Sequence, residues 1–92
     1  MNKAVVVGGS GFIGSHVADQ LSNAGYKVLI YDSIESQWLR DDQDMIVGDV
    51  RDGEKLEQSI CGSEVVYNFA ALADLNQALN KPIETVNINI LG

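Results

Sequence analysis

Ninety-two residues with thirteen Asp and Glu against six Lys and Arg, a net charge of −7, make one small domain with no basic stripe for nucleic acid or an anionic membrane. The apolar fraction of 46% is ordinary for a globular chain, and no apolar run reaches the ~18 residues of a membrane span. A single cysteine, Cys61, excludes an intrachain disulfide and offers no metal-ligand spacing; at the end of a helix it reads as a buried or half-buried inert thiol.

Met1-Asn2-Lys3 runs directly into the first strand and leaves no room for a signal peptide, so a cytoplasmic location is expected. The β-branched run Val5-Val6-Val7 then meets Gly8, Gly9, Gly11 and Gly14, and a helical pattern follows. Strand, glycine turn, helix is the order a phosphate-binding βα unit requires. The first glycines allow a tight reversal, Gly11 leaves the backbone bare for a pyrophosphate, and Gly14 permits close helix packing. The spacing reads either as Gly9-x-Gly11-x-x-Gly14 or as Gly8-x-x-Gly11-x-x-Gly14.

The first helix is expected from about Phe12 to Ala24, with Ile13, Val17, Leu21 and Ala24 inward and Gly25 as its stop. It opens without a Ser, Thr, Asp or Asn cap, which leaves its first N–H groups to an anion. His16, on this helix, has no nucleophile or carboxylate at a catalytic spacing and reads as a surface group. The second strand, Val28 to Tyr31, ends in Asp32, about 18 residues beyond Gly14, where a ribose 2′-hydroxyl finds its acceptor in dinucleotide-binding units.

Residues 33–43 carry no period; Trp38 and Leu39 are expected to fold back on the domain, and Asp41, Asp42 and Asp44 to stay solvated. A third strand, Met45 to Val47, leads through Gly48-Asp49-Val50-Arg51-Asp52 into a helix from Gly53 to Ile60 capped by Asp52. The fourth strand is Val65 to Phe69, followed by Ala70 and Ala71. Near-continuous apolar strands separated by helices describe an α/β fold, a parallel sheet of about four strands. Right-handed crossovers give the order 3-2-1-4. Two further helices are expected, Asp74 to Asn80 and from Pro82 onward, where Ile83, Val86, Ile90 and Leu91 keep a helical period.

The whole chain resembles the extended short-chain dehydrogenase/reductases, in particular the NAD-dependent sugar epimerases and dehydratases, whose NAD-binding domain is of the Rossmann type. The resemblance is carried by Gly-Gly-x-Gly-Phe-Ile-Gly at 8–14, Gly-Asp-Val-Arg-Asp at 48–52, Asn-Phe-Ala-Ala at 68–71 and Asn-Ile-Leu-Gly at 89–92. It implies that Gly8, Gly11, Phe12, Ile13 and Gly14 hold the pyrophosphate, and Asp32 and Ser33 the adenosine ribose. Asp49 and Val50 would flank the adenine, Phe69, Ala70 and Ala71 would pass the nicotinamide ribose, and Asn89 would face the cofactor.

The chain departs from the family at Val7, where many members have Thr, at Asn68, where many have His, and at Ala73, where UDP-galactose 4-epimerases typically carry Lys. The family's Tyr-x-x-x-Lys pair is absent: four residues past Tyr26, Tyr31 and Tyr67 stand Ile30, Glu35 and Ala71. Residues 1–92 are therefore expected to be the N-terminal portion of an NAD-binding domain, without its substrate domain and inactive alone. The expected cofactor is NAD rather than NADP, because Asp32 repels a 2′-phosphate. The alternatives are a free-standing NAD-binding or sensing module and a fragment that binds nothing. An unpaired fourth strand and an uncovered last helix would make the chain a homo-oligomer.

Overall fold

Alternation along the first strand builds the two layers of the molecule. Val5 and Val7 point to one side of the sheet, Ala4 and Val6 to the other, and all four are buried. A strand buried on both faces must be central, and each such valine contributes about 1.5–3 kcal/mol relative to its exposed state. The computed structural model describes residues 2–69 and the backbone of residues 85–87. Its elements are β1 (Lys3–Val7), α1 (Phe12–Asn23), β2 (Lys27–Asp32), β3 (Gln43–Val47), α2 (Gly53–Ile60), β4 (Val65–Asn68) and β5 (Thr85–Asn87).

The sheet is parallel, in the order β3-β2-β1-β4-β5. The expected core order 3-2-1-4 stands, extended by a fifth strand. On one face Val5, Val7, Leu29, Tyr31 and Val66 pack against Leu56 and Ile60 of α2; on the other Ala4, Val6, Val28 and Ile30 pack against Ala18 and Leu21 of α1. Helices therefore cover both faces of the sheet.

Three local outcomes differ from the sequence reading. The buried stripe of α1 is Gly14, Ser15, Ala18 and Leu21, with Ile13 exposed and Val17 only half-buried. Small residues at 14 and 18 let the helix approach the turn and strands closely, so close approach sets the face rather than the largest apolar side chains. Cys61 is exposed, because the chain leaves the helix there in an extended conformation just after the last buried residue, Ile60. Thr85–Asn87, placed by its period in a helix, is a strand paired with Val66, Tyr67 and Asn68 of β4. Its β-branched Thr85 and Val86 suit a strand, and β4 offers the backbone groups to pair with. The open β4 edge on which self-association rested is thus covered by the chain itself. The expected helix at 74–80 lies outside the described residues.

The cap and the stop of α2 are as expected: Asp52 accepts from the Lys55 N–H at 3.2 Å, and Leu56 and Ile60 are buried. Lys3 reaches across to the end of that helix and donates to the Ser59 carbonyl at 2.6 Å. Among the described residues no helix is long and apolar enough to cross a membrane.

Candidate cofactor-binding site

Register brings the strand ends level. Val7 lies opposite both Tyr31 and Asn68, and Asp32 lies opposite Val47. The residues after β1, β3 and β4 are each clipped to the neighbouring strand: Gly8 N–H donates to the Tyr31 carbonyl, Gly48 N–H to Asp32 and Phe69 N–H to Val7, at 2.7–2.8 Å. Above these ends lies an open cavity of about 440 Å³, lined by Val7, Gly8, Tyr31, Asp32, Ser33, Gly48, Asp49, Val50, Arg51 and Phe69. It is built from residues at the C-terminal ends of β1, β2, β3 and β4, next to the point between β1 and β4 where the strand order reverses and open α/β sheets bind ligands.

One wall is the glycine turn. Gly8 adopts φ +78°, a conformation that favours glycine. Gly14 packs so tightly on the turn that a Cβ there would lie 2.7 Å from Gly9 Cα and 3.0 Å from the Gly8 carbonyl oxygen. Gly11 is the N-cap of α1 in extended conformation, provides no side-chain cap, and has open space where a Cβ would project. The first-turn N–H groups of α1 thus meet a bare approach, which fits a pyrophosphate at that end of the site.

The second wall is Asp32. Its Oδ2 accepts from the Ser10 N–H at 3.1 Å and from the Ser10 hydroxyl, and its Oδ1 accepts from the Ser33 N–H at 2.7 Å. Those bonds hold the carboxylate at the rim of the crevice, beside the glycine turn.

The third wall is the segment after β3. The Tyr31 hydroxyl donates to the Asp49 carbonyl at 2.8 Å, and a Cβ on Gly48 would lie 2.6 Å from that hydroxyl. Burial raises the tyrosine's pKa, helped by Asp52 and Asp49. Arg51 grips the Asp49 carboxylate from its own N–H at 2.8 Å and through Nη2 at 2.8 Å. Its side-chain and backbone bonds hold Asp49 at about 2, below the ordinary 3.8. Because the folded value is the lower one, whatever this pair contributes is complete above about pH 3.8 and is lost as pH falls through about 2. Tyr31→Phe is expected to cost about 1 kcal/mol in chemical denaturation, the worth of one net hydrogen bond.

The structure therefore brings Gly8, Asp32, Ser33, Asp49, Val50 and Phe69 together at one crevice. Gly11, Phe12, Ile13 and Gly14 stand beside it on the turn and the first turn of α1, with the Phe12 and Ile13 side chains exposed. Ala70, Ala71 and Asn89 lie outside the described residues. Sequence reasoning missed Ser10, Tyr31 and Arg51 as members of the site. Arg51 stood in the recognised 48–52 segment and Tyr31 beside Asp32, but nothing in the spacing linked Ser10 to Asp32. His16 is exposed and meets Phe12 edge-on at 4.5 Å, and Phe12 meets the half-exposed Trp38 at 6.0 Å. Among the described residues no group of His, Cys, Asp or Glu could hold a metal.

Comparison with known proteins places this geometry. A UDP-glucose 4-epimerase from Yersinia pestis is 34% identical over 96% of the chain, which spans 30% of that relative's length. A UDP-glucose 4-epimerase from Brucella ovis solved in complex with NAD superposes with a TM-score of 0.70 at 36% identity, over 77% of this chain and 23% of that one. A dTDP-glucose 4,6-dehydratase from Bacillus anthracis, also in complex with NAD, gives a TM-score of 0.66 at 27% identity, over 79% of this chain and 28% of the other. The chain spans less than a third of the length of each. The family model for the NAD dependent epimerase/dehydratase family matches residues 4–92, and the chain belongs to that family.

Proposed function

We propose that this chain binds NAD across the strand ends and is the NAD-binding portion of a sugar-nucleotide epimerase, dehydratase or reductase. The observation that carries the reading is the Asp32 carboxylate, held at the crevice rim beside an uncapped helix start. In this reading the pyrophosphate lies over Gly8, Gly11, Phe12, Ile13 and Gly14, the adenosine ribose on Asp32 and Ser33, and the adenine against Asp49 and Val50. Phe69, Ala70, Ala71 and Asn89 form the nicotinamide side. NAD supplies hydride chemistry when bound; the residues of this chain bind and orient it. The NAD complexes of related enzymes support the choice of cofactor.

NAD is preferred over NADP. A carboxylate accepts from ribose hydroxyls and repels a 2′-phosphate. Arg40, the cation nearest in sequence on the loop, is committed elsewhere: it is paired with Asp42 at 2.9 Å and donates to Asn23 at 3.0 Å. Calorimetric titration tests the proposal. NAD and ADP-ribose should bind with micromolar to millimolar constants, about 8 to 4 kcal/mol, and NADP more weakly. NADP binding as tight as NAD would show that Asp32 does not meet the ribose.

A further inference from the structure

Arg51 is held in place at the crevice although it lies open to water. Its Nε and Nη2 reach the Asp49 carboxylate at 3.1 and 2.8 Å, and its own N–H donates to the same group at 2.8 Å. Two guanidinium nitrogens on one carboxylate make a fork, which sets the plane of the guanidinium as well as its position. The side chain is still 76% exposed, and it lines the cavity above the strand ends. An ion pair so open to water contributes little to stability, so the consequence of these bonds is orientation. The turn that carries Arg51 is fixed too. The Asp52 N–H donates to the Asp49 carbonyl at 3.0 Å and the Tyr31 hydroxyl to the same carbonyl at 2.8 Å, while Val50 packs against the core.

We propose that the Arg51 guanidinium is a platform on which the adenine base of the bound dinucleotide stacks. The proposal rests on the reading that the adenine lies against Asp49 and Val50. A guanidinium is flat, always charged and more weakly hydrated than an ammonium, and it lies readily on the face of an aromatic ring. A purine base offers such a face. Because Asp49 already orders the long side chain, little rotamer freedom remains to be lost when the base arrives. With its charge balanced by Asp49, Arg51 favours the base over the phosphates.

The test is titration of the wild type, Arg51→Ala and Arg51→Lys with NAD and with nicotinamide hypoxanthine dinucleotide. The second ligand keeps the purine face but carries a carbonyl where adenine has its amino group. Arg51→Ala is expected to weaken both ligands about five- to tenfold, the scale of one base on one platform. Arg51→Lys keeps the charge and loses the plane, and should stay within about twofold of Arg51→Ala. Full affinity in Arg51→Lys would make Arg51 a point charge for the pyrophosphate and overturns the proposal. A loss confined to NAD would mean that Arg51 only aims the Asp49 carboxylate at the adenine amino group, and overturns it as well. So does a wild type that binds NAD alone, because the edge of the base would then carry the affinity. Unchanged NAD affinity in Arg51→Ala, with NAD bound by the wild type, overturns this proposal and leaves the functional reading standing. A wild type that binds neither ligand overturns both. Should Arg51→Ala not fold, Arg51→Lys carries the same comparison: a five- to tenfold loss of both ligands is expected, and no loss overturns the platform.

Discussion

Gly11→Ala is expected to abolish NAD binding while changing stability by no more than about 0.5 kcal/mol. The two effects separate because of where the residue stands. Its φ of −73° and ψ of 171° suit alanine, and a Cβ there meets nothing within 4 Å, so the protein itself has no reason to resist the change. The methyl group would occupy the bare approach to the first turn of α1, where the pyrophosphate must come to the N–H groups. Calorimetry with NAD and a denaturation curve on the same sample read both effects. Unchanged affinity would move the pyrophosphate away from this turn.

Gly14→Ala should fail differently, in the fold. Alanine is worth up to about 1 kcal/mol over glycine in a helix interior, which alone would stabilise α1. The Cβ, however, would lie 2.7 Å from Gly9 Cα and 3.0 Å from the Gly8 carbonyl oxygen, and backbone cannot rotate aside as a side chain can. Overpacking wins. A net loss of about 2 kcal/mol is expected, with the melting midpoint lower by about 8–16 °C in a domain of this size. NAD binding should fall as well, because the helix can be relieved only by displacing the turn. A variant as stable as the wild type would mean that α1 stands further from the turn than the structure shows.

The parts of the fold legible in the sequence were those where one local rule acted unopposed. The valine run, the glycine turn, the Asp52 cap and the Leu56–Ile60 face of α2 each follow from residues within a few positions of one another. The face of α1 was misjudged because apolar size pointed to Ile13 and Val17, whereas close approach through Gly14 and Ala18 sets the rotation. Residues 85–87 carried a helical period, and what overrode it was tertiary: an open edge on β4 and β-branched residues able to pair with it. The site was legible as a set of strand ends, since parallel topology alone brings Gly8, Asp32, Asp49 and Phe69 to one rim. Its internal bonds were not. Ser10 meets Asp32, and Tyr31 meets Asp49, across separations that no short motif encodes.

The central claim is that a dinucleotide lies across those strand ends. The most direct measurement is the amide spectrum of the isotopically labelled chain during titration with NAD. Shifts are expected at Gly8, at Gly11 to Gly14, at Asp32 and Ser33, and at Asp49 and Val50. Lys3, Lys27 and Gly62, at the opposite end of the sheet, should stay still. ADP-ribose should reproduce the pattern, because the adenosine and pyrophosphate contacts carry it. Shifts confined to the opposite end of the sheet, or none at millimolar NAD, would contradict the account.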